Sequence, residues 1–134
     1  MRYLLLVFLL SGVSQTFSQN ITATQLLDKA IQYHDPQNNW KRFDAKFNIV
    51  METPKSSNRK SSIHLNIPKQ IFELEVEKDD SKYAYHFEKE TCTTSLNGSN
   101  KISEEDRKKY RLTCERGSLM RDYYTYLYGL PMKL

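Results

Sequence analysis

Side chains capable of acid–base or metal chemistry are few in this sequence and form no recognisable site. None of the three histidines, His34, His64 and His86, lies at the usual ligand spacing from another histidine or a cysteine. Three alternating glutamates place a row of carboxylates on one predicted strand face, a pattern typical of a solvated surface: Glu73, Glu75 and Glu77. The sequence has neither a glycine-rich phosphate loop nor a G-x-S-x-G motif. We therefore expect no metal, no cofactor and no catalytic residue, and predict that the protein is not an enzyme.

Two cysteines, Cys92 and Cys114, are the only thiols in the chain. In an exported protein they would meet an oxidising environment, where disulfides persist. A bridge between them would stabilise the fold by about 3 kcal/mol, because it restricts the unfolded chain. Two independent, half-buried thiols are equally compatible with the sequence, since it does not show how closely the two Cα atoms approach.

A tyrosine-rich segment near the C-terminus is the most unusual feature of the composition. Residues 123–128 read YYTYLY. Tyrosine combines a large apolar ring with a polar tip, which suits both cavity walls and interfaces. On a helix this segment presents an aromatic face that either packs on a sheet as ordinary core or lines an apolar pocket. For the pocket, the candidate ligand-lining residues are Phe43, Phe47, Tyr85, Tyr123, Tyr124 and Leu127.

The segments that must position these residues alternate with a period of two. Apolar residues occupy every second position in four segments: 43–51, 63–67, 72–76 and 83–87, the last of which is expected to run on as one strand to residue 96. Clusters of turn-forming residues separate them, as at 54–58 and 79–81. Four strands joined by short turns predict an antiparallel meander with one apolar and one wet face.

Helices are predicted on both sides of these strands in the sequence. Thr24 can cap a first helix over residues 25–34. Its buried face would consist of Leu26, Leu27, Ala30 and Ile31. A second helical region covers residues 103–128, with a break near Gly117. The apolar sheet face needs a cover, so we predict an α+β fold: an antiparallel β-meander, or partial half-barrel, covered by N-terminal and C-terminal helices.

The N-terminus predicts export. Arg2 precedes an apolar run over residues 3–10, and Thr16 and Ser18 supply the small side chains that a signal peptidase requires before Gln19. The run is too short to cross a ~30 Å hydrocarbon core as a helix. An uncleaved membrane anchor or a buried N-terminal helix is the alternative interpretation.

Cleavage divides the chain into a signal peptide, residues 1–18, and a single domain, residues 19–134. We expect a periplasmic or secreted location with no transmembrane segment after cleavage. No cysteine follows the cleavage site, so a lipid anchor is not expected. The last six residues, GLPMKL, lack a polar tail. We therefore expect the domain to be C-terminally incomplete, although this segment could instead pack back on the sheet.

The charge pattern argues against nucleic-acid binding. Lysine and arginine number 20 against 16 aspartates and glutamates, which gives a formal net charge of +4. The two signs are interspersed, as in residues 78–82 and 104–109. Such mixing produces a solvated surface without a concentrated positive field for phosphates.

Two segments carry a resemblance to a known group of proteins: residues 30–40 (AIQYHDPQNNW) and residues 121–134 (RDYYTYLYGLPMKL). They resemble an uncharacterised family of exported proteins from flavobacteria and related bacteria. That family is similar to periplasmic lipoprotein carriers of the LolA/LppX type, in which a curved half-barrel and helices enclose an apolar cavity. The resemblance implies a LolA-like domain over residues 19–134, with further strands expected after the present C-terminus.

These features predict an exported soluble protein that binds or carries a lipid or other apolar ligand between its sheet and helices. The protein partner, if there is one, is not specified by the sequence. Two alternatives stay open. One is an envelope structural or protein-interaction module that uses its aromatic surface. The other is an aldolase-type enzyme, a label that some relatives carry, although a (β/α)₈ aldolase needs about 250 residues of alternating strand and helix.

Overall fold

Five strands form one open antiparallel sheet. The computed structural model describes residues 21–132, so the predicted signal peptide lies outside the described residues. The strands follow one another in the sheet in chain order. They are β1 (Asp44–Thr53), β2 (Ser56–Asn66), β3 (Ile71–Lys78), β4 (Ser81–Glu88) and β5 (Thr91–Leu96). The predicted antiparallel α+β class is confirmed, and the sheet does not close on itself.

Three α-helices flank the sheet in the sequence. Helix α1 (Ala23–His34) and a short 3₁₀ turn (Trp40–Arg42) precede β1, whereas α2 (Glu104–Tyr110) and α3 (Cys114–Gly129) follow β5. Each α-helix begins after a residue whose hydroxyl accepts a backbone hydrogen bond from the first turn: Thr22, Ser103 and Thr113. Within residues 21–132 no helix is long and apolar enough to cross a membrane.

The fourth predicted strand is two strands in the structure. Glu88 pairs with Thr91, so β4 and β5 are joined by a two-residue turn in which Lys89 has a φ of 53°. Neither turn residue is glycine, proline, asparagine or aspartate, so the sequence carries no ordinary turn signal at this point. The apolar positions shift from odd to even numbers across the turn, from Tyr83, Tyr85 and Phe87 to Cys92, Thr94 and Leu96, so the expectation of one long strand was wrong.

The predicted C-terminal helical region is broken earlier than expected. Arg111 adopts a left-handed conformation with φ 55° and ends α2, and α3 begins three residues later. The backbone N–H of Leu112 donates to the carbonyl of Arg107, which closes the end of α2. Gly117, where the break was expected, lies inside α3.

One face of the sheet carries the hydrophobic core. Neighbouring strands place directly opposed residues on the same face, and this face alternates with the solvated one along each strand. Of the described residues, the strands supply most of the buried apolar side chains, and the region after β5 supplies Leu112 and Tyr124. The full set is Ile63, Leu65, Phe72, Leu74, Val76, Tyr85, Phe87, Leu112 and Tyr124.

Helix α3 crosses this apolar face and is held at three points. Cys114 forms a disulfide with Cys92 of β5, one of the two arrangements that the sequence left open. A Cβ atom added to Gly117 would lie 2.8 Å from ring atoms of both Phe87 and Tyr85, so the helix approaches the sheet there as closely as a glycine allows. At the other end a Cβ on Gly129 would lie 2.5 Å from the ring of Trp40. These three contacts fix both the position and the direction of α3.

Helix α1 differs from its prediction. It begins at Ala23, because Thr22 and Gln25 form a capping box and Thr22 lies two residues before the expected cap, Thr24. None of its residues is buried, and Leu26, which was expected to face the core, is 59% exposed. Helix α1 therefore contributes no buried side chain to the core, and the helix that packs on the apolar face is α3.

Substitution of Gly117 by alanine tests the close approach of α3 to the sheet. Alanine favours helix formation over glycine, but its methyl group would overlap the rings of Phe87 and Tyr85. We expect Gly117→Ala to lower the free energy of unfolding by about 1–3 kcal/mol, measured by urea denaturation. Leu119→Ala, at a 56% exposed position on the same helix, is the control and should change it by no more than about 0.5 kcal/mol. A more stable Gly117→Ala protein would show that this packing is wrong.

Removal of the disulfide tests the second attachment point. The Cys92→Ala/Cys114→Ala double variant loses a link between residues 22 positions apart in sequence. We expect it to be about 3 kcal/mol less stable than the oxidised protein in urea denaturation. In the presence of a reductant, the original protein should fall to nearly the same stability as the double variant. Equal stability of the oxidised protein and the double variant would contradict the bridge.

Candidate functional site

The apolar face of the sheet is hydrophobic over the middle of the strands and cationic near one end. Strand register divides it into cross-strand rows, and the row of Phe47, Ile63, Leu74, Tyr85 and Thr94 lies over the middle of the sheet. The next row contains Ile49, Ser61, Val76, Tyr83 and Leu96. The last row contains Met51, Arg59, Lys78 and Ser81. An apolar surface therefore gives way to a cationic one on the same face.

A cavity of about 90 Å³ lies where this face meets α2 and α3. Its floor comes from the middle rows of the sheet, and its walls come from the two helices and from Arg111 between them. Most of the lining side chains are apolar or aromatic, and the charged ones are all arginines. The lining residues are Arg59, Leu74, Val76, Tyr83, Tyr85, Tyr110, Arg111, Arg116, Met120 and Tyr124.

Three arginines bring positive charge to this cavity from different elements. Arg59 belongs to β2, Arg111 to the link between the helices, and Arg116 to the first turn of α3. Within residues 21–132 none of the three guanidinium groups has a salt-bridge partner, and no aspartate or glutamate lines the cavity. The Nε of Arg59 is buried and has no hydrogen-bond partner in the described part of the chain. The site is therefore a small cavity in which aromatic and aliphatic side chains meet an unneutralised cationic border.

The pKa values of Tyr83 and Tyr85 reflect the burial and the charges around the cavity. Burial raises the pKa of Tyr83, while the positive charges of Arg59 and Arg116 act against that shift. Burial also raises the pKa of Tyr85 to about 12. The Tyr85 hydroxyl donates a hydrogen bond to the carbonyl oxygen of Arg111 at 3.0 Å, so it remains neutral and structural. Guanidinium groups from β2 and α3 thus act on the same hydroxyl, that of Tyr83.

The structure brings some of the predicted lining residues together and separates others. Tyr85 and Tyr124, each 3% exposed, line the cavity. Phe47 packs edge-on against Tyr124, with ring centroids 6.5 Å apart. Tyr123 and Leu127 are 55% and 52% exposed and lie outside the cavity lining.

Phe43 is also outside the cavity lining. It is half-buried and packs against the ring of Trp40, with centroids 5.1 Å apart. In the chain, Phe43 lies between the 3₁₀ turn that contains Trp40 and the start of β1.

The cationic border was missed by the sequence analysis, although a signal for it was present. Counting back by two from Ile63 along β2 reaches Ser61 and then Arg59, so both residues belong to the apolar register. A charged side chain on the buried face of a strand is unusual unless it has a partner. The contributions of Arg111 and Arg116 carried no comparable signal, because they depend on where α2 ends.

The solvated face of the sheet carries a second polar constellation. Asp44, His64, Glu73 and His86 lie side by side across β1 to β4. Nε2 of His64 is 2.8 Å from Asp44 Oδ1, and its Nδ1 is 3.0 Å from Glu73 Oε2. Nδ1 of His86 is 3.2 Å from the other oxygen of Glu73. The strand alternation predicted that both histidines lie on this face. It did not predict that the carboxylate of Glu73 contacts both of them.

This ladder is built for stability rather than catalysis. Both ring nitrogens of His64 face carboxylates, so this imidazole has no nitrogen left to take a proton from Ser62, the hydroxyl on the same strand face. Burial acts to raise the pKa of Glu73, but hydrogen bonds and charge from His64 and His86 outweigh it, and the pKa is lowered. Among the described residues no group of three or more histidine, cysteine, aspartate or glutamate side chains is placed to hold a metal ion. Cross-strand pairs of this kind stabilise antiparallel sheets.

Comparison with known proteins identifies a family and no closer relative. A family model described as "Family of unknown function (DUF6503)" matches residues 1–134. No curated protein and no solved structure matches the chain. The expectation of an uncharacterised family is confirmed, whereas the similarity to lipoprotein carriers stays a prediction.

The lowered pKa of Glu73 predicts a specific acid sensitivity. The folded state holds this carboxylate more tightly ionised than the unfolded state, whose pKa is near 4.5. Its contribution is therefore complete above that value and is lost as the pH falls through the lower pKa of the folded protein. We expect stability to fall less steeply between pH 6 and pH 3 in Glu73→Gln than in the original protein, by urea denaturation at each pH. Glu52→Gln, at an exposed carboxylate with no salt-bridge partner among the described residues, is the control and should retain the original slope; identical slopes for all three proteins would contradict the assignment.

Proposed function

The chain belongs to the DUF6503 family, and we propose from its own geometry that it is an exported protein that binds an apolar ligand between its sheet and α3. The observation that carries the proposal is the cavity of about 90 Å³ within the core, lined by Met120, Tyr124 and the apolar rows of β3 and β4. Close-packed cores leave few voids larger than a water molecule. Apolar cavities with a few polar groups at their edge are the usual form of small-molecule sites.

The size of the cavity limits what it holds. Typical small-molecule pockets have volumes of roughly 300–1,000 Å³, so this cavity accommodates only the end of a chain-like ligand. The remainder would lie on apolar surface that continues the same sheet face. Phe47 and Ile49 of β1, both partly buried, continue that face beside the cavity on the side away from the row of Arg59. A flexible acyl chain fits this combination of a narrow cavity and an open apolar strip better than a rigid polycyclic ligand does.

A binding role is favoured over an aldolase-type activity by the composition of the cavity. An aldolase of the Schiff-base class requires a lysine whose amine reaches the substrate. The described residues that line the cavity include arginines and tyrosines but no lysine. The resemblance to lipoprotein carriers and the predicted signal peptide support the same proposal, because a lipid must be shielded from water to cross an aqueous compartment.

Filling the cavity tests the proposal. We expect the purified protein to bind the uncharged apolar probe N-phenyl-1-naphthylamine, detected as an increase in its fluorescence. Met120→Phe places a larger side chain in the cavity lining and should weaken probe binding about tenfold or more. Leu119→Phe makes a similar change at the neighbouring position, which is 56% exposed and lies outside the lining, and should leave binding within twofold.

Two results would overturn the proposal. One is the absence of any saturable probe binding to the folded protein. The other is a loss of binding in Leu119→Phe but not in Met120→Phe, which would place the probe in the separate groove that Leu119 lines between α2 and α3. Circular dichroism of both variants establishes that the comparison is made between folded proteins.

A further inference from the structure

We propose that the ligand is an anionic amphiphile whose carboxylate or phosphate head binds Arg59, with Arg116 beside it, at the cationic border of the cavity. This inference rests on the proposed function and adds the chemical class of the ligand. An apolar ligand alone would explain the cavity but not the charges placed around it.

The unpaired polar atoms on the apolar face of β2 are the first support. Within the described part of the chain, the buried side-chain polar atoms that lack a hydrogen-bond partner are Nε of Arg59 and Oγ of Ser61. The two residues lie on the same strand and the same face, and Ser61 is 2% exposed. A buried donor without a partner is destabilising, and more so when it is charged. Arg59 lines the cavity whereas Ser61 does not, so the Nε of Arg59 is the atom that indicates a site there for an acceptor from outside the folded chain.

The convergence of charge from separate elements is the second support. Arg59 comes from the sheet and Arg116 from α3, and the charges of both act on the hydroxyl of Tyr83 between them. No acidic side chain of the described residues lines the cavity to neutralise them. Arg111 and Arg116 also line the neighbouring groove, which contains Glu104 and Glu115, whereas Arg59 does not line that groove. Arg59 is therefore the guanidinium specific to the cavity.

The geometry of the ligand follows from the order of the rows along the sheet. The apolar rows of the face lead directly to the row of Arg59 and Lys78. A molecule with its chain over the apolar rows would place its head beside these cations. Guanidinium groups bind carboxylate and phosphate oxygens through paired, charge-assisted hydrogen bonds. A neutral head, such as an alcohol or an ester, would leave the cations without an anionic partner.

Competition between three ligands of equal chain length tests the inference. Hexadecanoate, hexadecyl phosphate and hexadecanol, each below its aggregation concentration, would displace N-phenyl-1-naphthylamine from the purified protein. We expect at least one of the two anions to displace the probe at a concentration about tenfold or more below that of hexadecanol. Comparison of the two anions then distinguishes a carboxylate from a phosphate head.

Charge-removing variants locate the head group. Arg59→Gln should bring the preferred anion to within about twofold of hexadecanol, and Arg116→Gln should weaken it to a smaller extent. Lys60→Gln removes the same charge from the adjacent residue of β2, which faces the other side of the sheet, and should not change the preference. Binding of the neutral probe should stay within twofold in Lys60→Gln. Because Arg59 and Arg116 line the cavity, the anion and hexadecanol are compared as a ratio of displacing concentrations within each variant, and circular dichroism establishes that each variant is folded.

The outcomes separate this inference from the proposed function. Probe binding with equal affinity for the anions and hexadecanol would overturn the inference and leave the apolar site in place. An anion preference that is lost equally in Lys60→Gln and Arg59→Gln would show general charge attraction and would also overturn it. No probe binding at all would remove both proposals.

Discussion

The structure depends on the difference between the length of its strands and the width of the one long helix that crosses them. At about 3.4 Å per residue even the eight-residue strand β3 is roughly 27 Å long, whereas a helix with its side chains is about 10–12 Å across. Helix α3 therefore cannot bury the whole apolar face by itself. Ile63 and Leu74 of the middle row are almost completely buried, while Met51 of the last row is 46% exposed. The uncovered part of this face is a consequence of the architecture rather than of a local defect.

The attachment of α3 determines where that uncovered part lies. The disulfide to Cys92 and the contact at Gly117 hold the first half of the helix against β4 and β5. The contact between Gly129 and Trp40 holds its end beside the segment that leads into β1. The row that contains Met51 and Arg59 is the more exposed end of the face, with Met51 46% exposed, whereas Ser61 and Val76 of the next row are 2% and 3% exposed. The cavity lies at the boundary between the covered and the uncovered rows, and for this reason its lining combines aromatic core residues with arginines.

Much of the sheet could be predicted from the sequence, because alternation is a local property of each strand. The apolar register of residues 43–51, 72–76 and 83–87 matches the face that the structure buries or half-buries. Other features depend on tertiary contacts. The turn at Lys89 uses a left-handed φ in a residue type that does not favour it, and the absence of a break at Gly117 reflects its contact with two rings. Neither has a distinct pattern in sequence.

The candidate site was harder to predict than the fold, because it combines elements that are distant in the chain. The tyrosine-rich segment indicated correctly that Tyr124 faces the sheet, but its neighbours Tyr123 and Leu127 are exposed. A helical face assigned from spacing alone is wider than the strip that the sheet can contact. The strand register indicates that Arg59 lies on the apolar face. That Arg116 of α3 lines the same cavity could not be predicted, because it depends on the tertiary structure.

Several charged and polar side chains on the solvated face of the sheet are paired with one another, whereas Arg59 on the apolar face is not paired with any described residue. This difference bears on the route by which a ligand would enter. On the solvated face His64 and His86 lie 2.8–3.2 Å from neighbouring carboxylates, so these polar groups have partners within the fold. On the apolar face the guanidinium of Arg59 has no such partner among the described residues. Since α3 is held at both of its ends, displacement of the helix would break the contacts that define the core. Entry from the row of Met51 and Arg59 requires no such displacement: an acyl chain would pass over that row toward the cavity, and its anionic head would stop where the arginines are.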